Sequence, residues 1–200
     1  MTLVKICGLT RAADVEAAVA LGADALGFVL WPGSPRHVTG TVAAALIRNL
    51  PPFLTTVGVL VNPSADEVSA AADAGLRVAQ IHGHVPDAGG PIPVLRAVHL
   101  GAGGEGSIEP DVDDRTVLLD ANDPVRHGGT GQTIDWTRAR AVARSRRVVL
   151  AGGLTPINVR EAIEAVRPYA VDVSSGVEAR PGVKDHELLR RFIATAKETV

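Results

Sequence analysis

Cys7 is the single cysteine of the chain, and it follows the short β-branched run Leu3-Val4-Lys5-Ile6. Lys5 and Cys7 share parity, so on a strand both side chains point to the same face. A thiol acts as a base only as its thiolate, which requires a lowered pKa, and Lys5 and nearby backbone N–H groups are at hand to lower it. An inert buried thiol is the plain alternative. Asp120 ends the apolar run Val117-Leu118-Leu119. A carboxyl there is costly to bury and needs a task or a partner, a helix cap or a turn being the simpler one. A base and an acid on opposite sides of one mouth suit proton transfer from and to a small substrate.

Other residues suit the binding of anions. Arg36 lies in the loop Trp31-Pro32-Gly33-Ser34-Pro35-Arg36, where two prolines and a glycine restrict the backbone. A guanidinium held there can take a carboxylate or a phosphate through two parallel hydrogen bonds. Gly152 and Gly153 follow one strand-like run, and Ser174, Ser175 and Gly176 follow the next, which contains Asp172. Glycines let backbone N–H groups approach a phosphate closely. The segment Gly128-Gly129-Thr130-Gly131-Gln132 is a candidate to close over a substrate, or a connector to the following helix. His82, between Ile81 and Gly83, suits packing or hydrogen bonding better than chemistry. No cluster has metal-ligand spacing, and no Ser-His-Asp order is identifiable.

These residues recur at the ends of β-like runs. Strands are predicted at Leu3–Ile6, Ala25–Val29, Thr56–Leu60, Val78–Ile81, Val94–Val98, Val117–Leu119, Val148–Leu150 and Ala170–Val173. Several are continuous apolar runs, as parallel strands covered on both faces require. Helical patterns are predicted at Arg11–Leu21, Thr41–Asn49, Ser64–Ala74, Ile134–Arg144, Pro156–Val166 and His186–Thr199. Thr10, Asn62 with Pro63, and Thr155 with Pro156 read as helix starts, and Gly22 and Gly75 as stops. The connection from His99 to Arg115 contains Gly101, Gly103, Gly104, Gly106 and Pro110, so the fifth helix is expected to be shortened or replaced by coil. Eight strands mostly alternating with helices predict a single (β/α)8 barrel over 1–200, whose active site forms where strands end and loops begin. An open doubly wound sheet would carry a glycine-rich phosphate loop after its first strand, and Cys7-Gly8-Leu9-Thr10 is not one.

Composition agrees with this class. The chain has 200 residues, 46% of them hydrophobic and only 3% aromatic, so the core must be aliphatic. A formal net charge of −2 gives no electrostatic case for a nucleic-acid partner. The basic stretch Arg138 to Arg147 reads as a solvated face. No basic segment followed by an apolar one opens the sequence, and the apolar stretch Ala17 to Trp31 is interrupted by Asp24, Gly22 and Gly27, so no membrane partner is expected and the expected location is cytoplasmic.

The segments Lys5-Ile6-Cys7-Gly8-Leu9-Thr10, Gly22-Ala23-Asp24-Ala25-Leu26-Gly27-Phe28, Ser34-Pro35-Arg36 and Gln80-Ile81-His82-Gly83 resemble the phosphoribosylanthranilate isomerases. So do Leu118-Leu119-Asp120, Gly128-Gly129-Thr130-Gly131-Gln132-Thr133, Leu150-Ala151-Gly152-Gly153-Leu154, Asp172-Val173-Ser174-Ser175-Gly176-Val177-Glu178 and Pro181-Gly182-Val183-Lys184-Asp185. They stand in the family's order from the first strand to the last. The resemblance implies a (β/α)8 barrel without a cofactor that carries out an Amadori rearrangement in tryptophan biosynthesis. It puts Cys7 in the general-base position and Asp120 in the general-acid position. Arg36 matches the residue that receives the anthranilate carboxylate. Gly152, Gly153, Ser174, Ser175 and Gly176 match the phosphate cradle. His82, Gly129 and Asp172 are further substrate-binding candidates. A histidine-pathway aminoaldose isomerase would resemble a family with an aspartate where Cys7 stands. A non-catalytic phosphate-sugar binding barrel would need no facing acid and base. Monomer and homodimer are both compatible with the fold.

Overall fold

The strands seen in the computed structural model follow from where their apolar residues fall. The structure describes residues 1–87, 90–100, 115–121 and 135–199. Eight parallel strands form a closed barrel in chain order: β1 (Leu3–Ile6), β2 (Ala25–Val29), β3 (Thr55–Val61), β4 (Val78–His82), β5 (Val94–Leu100), β6 (Thr116–Ala121), β7 (Arg147–Leu150) and β8 (Ala170–Val173). β8 pairs with β1 and closes the ring, with Lys5 opposite Asp172.

Alternation along each strand sorts the side chains into two cores. Val4 and Ile6 of β1, Leu26 and Phe28 of β2, and Val117 and Leu119 of β6 point outward and are fully buried against the helices. Residues of the other parity fill the interior: Leu95, Ala97, Leu118, Val149 and Ala170 form one buried cluster, with Leu3 and Val78 packed against it. Small and medium aliphatics fill so narrow a barrel without aromatic residues.

Among the described residues six helices cover the outside: α1 (Ala12–Ala20), α2 (Gly40–Ile47), α3 (Ala65–Asp73), α4 (Trp136–Ala143), α5 (Val159–Val166) and α6 (His186–Glu198). α6 shows the cause of such packing most plainly. Leu189, Phe192, Ile193 and Ala196 recur at helical spacing and are buried, and Asp185 caps the N-terminus by accepting from the Glu187 and Leu188 N–H groups. The predicted stops Gly22 and Gly75 stand at φ 91° and 89°, the left-handed conformation that ends a helix.

The predicted helix starts are corrected. The residue before α1 is Arg11, without a side-chain cap, and the Thr10 hydroxyl instead donates to the Gly182 carbonyl at 2.5 Å. Ser64 caps α3 in a reciprocal capping box with Glu67, while Asn62 adopts φ 46°. α5 begins at Val159; Thr155 belongs to the preceding loop, where its N–H donates to Asn158 Oδ1 at 2.8 Å. The Thr10 hydroxyl and the Asn62 carboxamide oxygen, which accepts from the His84 N–H at 2.8 Å, found partners in loops at the barrel mouth, whereas the Thr155 hydroxyl accepts from the Ile157 N–H at 3.3 Å as a cap would. The described residues between β4 and β5 carry no helix. Beyond Leu100, the glycine-rich connection lies outside the described residues.

One element was not anticipated. After β8 a single 3-10 turn (Ser175–Val177) leads into a hairpin of β9 (Glu178–Arg180) and β10 (Val183–Lys184). Gly182, at φ 77°, lies at its turn. Strands of three and two residues carry no readable alternation.

Candidate active site

The C-terminal ends of the strands and their loops enclose a cavity of about 420 Å³. Cys7, Arg36, His82, Asp120, Gly152, Gly153, Asp172, Ser174, Ser175 and Gly176 all line it. These residues span positions 7 to 176, and closure of the barrel brings them together. Gly129 lies outside the described residues.

Cys7 stands directly beyond β1, almost fully buried, and its N–H donates to the Val173 carbonyl at 2.8 Å. Lys5, one inward position below, donates to Asp172 Oδ1 at 2.9 Å. Gly27 on β2 leaves room for both. A Cβ there would lie 2.8 Å from the Cys7 sulfur and 3.1 Å from Lys5 Nζ. Burial tends to lower the Lys5 pKa, but Asp172 and Cys7 outweigh it and hold the ammonium above its ordinary value.

The expectation of a lowered thiol pKa is overturned. Burial pushes the Cys7 thiol up, Lys5 and Lys184 pull it down, Asp172 raises it again, and the outcome lies above the ordinary thiol value. Lys5 shares its charge with Asp172, so it offsets burial only in part. Alkylation of Cys7 by iodoacetamide is therefore expected to be slow at pH 7 and to rise with pH through a midpoint above about 8.5, the value for a free thiol. A midpoint below it would show that the cations win.

Asp120, at the end of β6, is also buried, with His99 beside it across the β5–β6 ladder. His82 is buried at the end of β4. Its Nε2 lies 3.0 Å from Gln80 Nε2, and its ring packs at 5.6 Å from that of His99. Gln80 also lines the cavity, and its buried Oε1 has no hydrogen-bond partner among the described residues.

The loops after β7 and β8 bring Gly152, Gly153, Ser174, Ser175 and Gly176 to the cavity wall. Gly152 and Gly153 adopt φ 79° and 67°. Asn158 donates to the Gly153 carbonyl at 3.0 Å, fixing that turn from behind. The loops touch at Gly176, where a Cβ would come within 1.9 Å of the Leu154 carbonyl oxygen.

Arg36 enters from the loop after β2. Its Nε and Nη2 donate to Glu178 Oε1 and Oε2 at 2.9 and 2.8 Å. Lys184 Nζ also reaches Glu178 Oε1, at 2.9 Å. Burial tends to raise the Glu178 pKa, but the hydrogen bonds from Arg36 and the charge of Lys184 overcome it and hold the carboxyl below its usual range. Burial lowers Lys184 by more than Glu178 raises it. A carboxylate whose folded pKa is depressed adds stability above its unfolded pKa, about 4.3, and loses it as pH falls through the folded value. Glu178→Gln should thus flatten the acid side of a plot of Tm against pH below about 4.3 in thermal melts. An unchanged acid slope would contradict that.

Sequence reading missed Gly27, Gln80, Glu178 and Lys184 as parts of the site. Gln80 and Gly27 carried a usable signal, since each has the inward parity of its strand. Among the described residues no group of three or more His, Cys, Asp or Glu side chains is arranged to hold a metal ion.

The family model for N-(5'phosphoribosyl)anthranilate (PRA) isomerase matches residues 4–195. A relative from Pelobacter propionicus named N-(5'-phosphoribosyl)anthranilate isomerase is 49% identical, covering 100% of this chain and 97% of its own. The crystal structure of phosphoribosyl anthranilate isomerase from Thermotoga maritima superposes with a TM-score of 0.86 at 40% identity, covering 98% of this chain and 99% of that one. Another, of a phosphoribosyl anthranilate isomerase in complex with reduced 1-(o-carboxyphenylamino)-1-deoxyribulose 5-phosphate, has a TM-score of 0.78 at 37% identity over 98% and 99% of the two chains. A likeness that runs from the first strand to the last helix includes every loop that builds the cavity, and the chain belongs to the N-(5'-phosphoribosyl)anthranilate isomerase family.

Proposed function

We propose that this chain isomerises N-(5-phosphoribosyl)anthranilate to 1-(2-carboxyphenylamino)-1-deoxyribulose 5-phosphate in tryptophan biosynthesis, with Cys7 as general base and Asp120 as general acid. One observation carries the proposal: a thiol beside a fixed ammonium and a buried carboxyl line one cavity with an arginine and a two-loop glycine cradle. The reaction is an internal redox exchange, in which C1′ is reduced and C2′ oxidised, so no outside oxidant is needed. Asp120 donates its proton to the ribose ring oxygen as the C1′–O bond opens, leaving a Schiff base. Cys7, as thiolate, removes the C2′ proton. The electron pair of that C–H bond forms the enolamine, and tautomerisation gives the ketone.

Burial holds the Cys7 thiol above its ordinary value, so the step draws on the minor thiolate fraction, which Lys5, keeping its positive charge beside the sulfur, stabilises. Arg36 receives the anthranilate carboxylate. The loops holding Gly152, Gly153, Ser174, Ser175 and Gly176 take the phosphate, and this remote grip supplies binding energy for aligning the reacting carbon. His82 and Asp172 complete the contacts to the sugar, and Gly129, outside the described residues, is a further substrate-binding position. Residues 1–200 act as one catalytic domain in the cytoplasm, as a monomer or a homodimer, without a cofactor or nucleic-acid partner. The formal net charge of −2 fits the last of these. Among the described residues no helix is long and apolar enough to cross a membrane.

The test is loss of anthranilate-type fluorescence when purified protein meets phosphoribosylanthranilate generated in situ, with indole-glycerol-phosphate synthase added to consume the product. Rapid loss and onward conversion are expected. A folded protein that binds the substrate but leaves it unchanged would favour a phosphate-sugar binding barrel.

A further inference from the structure

Glu178 and Lys184 form a buried charged knot that the reaction steps do not use. Their side chains are 4% and 0% exposed, and that of Arg36 is 13% exposed. Glu178 Oε1 accepts from Arg36 Nε, from Lys184 Nζ and, at 3.3 Å, from the Gly182 N–H, while Oε2 accepts from Arg36 Nη2. Lys184 Nζ also donates to the Ser174 carbonyl at 3.0 Å, and the Lys184 N–H donates to Asp14 Oδ2 at 3.1 Å. Arg36 and Ser174 meet over Gly8, where a Cβ would come within 2.6 Å of Arg36 Cδ and 2.9 Å of Ser174 Oγ.

A guanidinium has five N–H groups in a planar fork. Glu178 takes one from Nε and one from Nη2, which is one complete edge. The second Nη2 hydrogen and both Nη1 hydrogens are left, and the second Nη2 hydrogen with one of the Nη1 pair forms the other edge. A carboxylate on that edge can be held by two parallel bonds. A lone arginine on a loop would have to give up rotamer freedom to present it.

We infer that Glu178 is the positioning residue of Arg36, presenting its Nη1/Nη2 edge to the substrate carboxylate, and that Lys184 ties this clamp to the Ser174 loop, so that carboxylate and phosphate sites keep a fixed spacing. The inference rests on Arg36 being the carboxylate site. It selects substrates that carry an anionic group on the aryl ring and a phosphate at the far end.

The experiment measures the Kd of two probes, reduced 1-(2-carboxyphenylamino)-1-deoxyribulose 5-phosphate and the same compound with a bare phenyl ring. They are titrated into wild type, Glu178→Gln, Arg36→Met and the double variant. Glu178→Gln should weaken the carboxylated probe about tenfold, leave the phenyl probe within about twofold, and raise KM far more than it lowers kcat. In the Arg36→Met background Glu178→Gln should add nothing. Equal losses for both probes, or additive losses in the double variant, would overturn the inference. Arg36→Met without effect on the carboxylated probe would overturn the Arg36 assignment and the inference with it. An effect of Arg36→Met with none of Glu178→Gln would overturn the inference alone. Should Glu178→Gln not fold, Lys184→Gln on the same probes takes its place, with the same selective loss expected and an equal loss for both probes overturning it.

Discussion

Cys7→Ala should lower kcat by about two or more orders of magnitude while KM moves only a few-fold. The substitution removes one buried sulfur and leaves the backbone as it is: the N–H at this position still donates to the Val173 carbonyl, and the strand keeps its pairing with β8. Deleting one sulfur from a buried site costs stability on the order of 1 kcal/mol, so the variant should fold. Alanine has no group that can take the C2′ proton. Lys5 cannot substitute, because Asp172 holds it charged and an ammonium has no lone pair to offer. Steady-state kinetics beside a circular dichroism melt check this, and a folded variant turning over at near the wild-type rate would remove Cys7 from the mechanism.

Asp120→Asn should cost kcat about two or more orders of magnitude as well, for the opposite reason. The amide is almost isosteric with the carboxyl, so the end of β6 and its pairing with β5 should persist. An amide can donate a hydrogen bond to the ring oxygen but cannot transfer a proton to it, so the C1′–O bond must break without acid assistance. The loss should appear in kcat and in kcat/KM alike, since the interaction is made in the transition state. Unchanged kcat/KM in Asp120→Asn, measured by the fluorescence assay, would move the acid to another group.

Much of the barrel was legible in the residues because its strands are buried on both faces, so β1, β2 and β8 stand out as short apolar runs with clean punctuation. Asp120 and Cys7 were legible because a polar residue that ends such a run must lie at the mouth of the barrel. What escaped depends on partners far along the chain. Local sequence showed Lys5 two residues from Cys7 and suggested a lowered thiol pKa. It did not show Asp172, which meets Lys5 from 167 positions away and shares its charge, nor the depth of burial. Glu178 reaches Arg36 across 142 positions, on a hairpin too short to show a strand pattern. The start of α1 was misplaced where Thr10, a good cap by type, was taken up by the hairpin at the barrel mouth, its hydroxyl donating to the Gly182 carbonyl.

Removal of the C2′ proton by Cys7 can be followed in a single turnover. Phosphoribosylanthranilate is mixed rapidly with excess wild type or excess Cys7→Ala, and both binding and consumption are followed by fluorescence. Enzyme in excess separates the chemical step from product release. Both proteins should bind the substrate, and the variant should consume it at least about a hundredfold more slowly. Consumption by folded Cys7→Ala at the wild-type rate would contradict that role of Cys7.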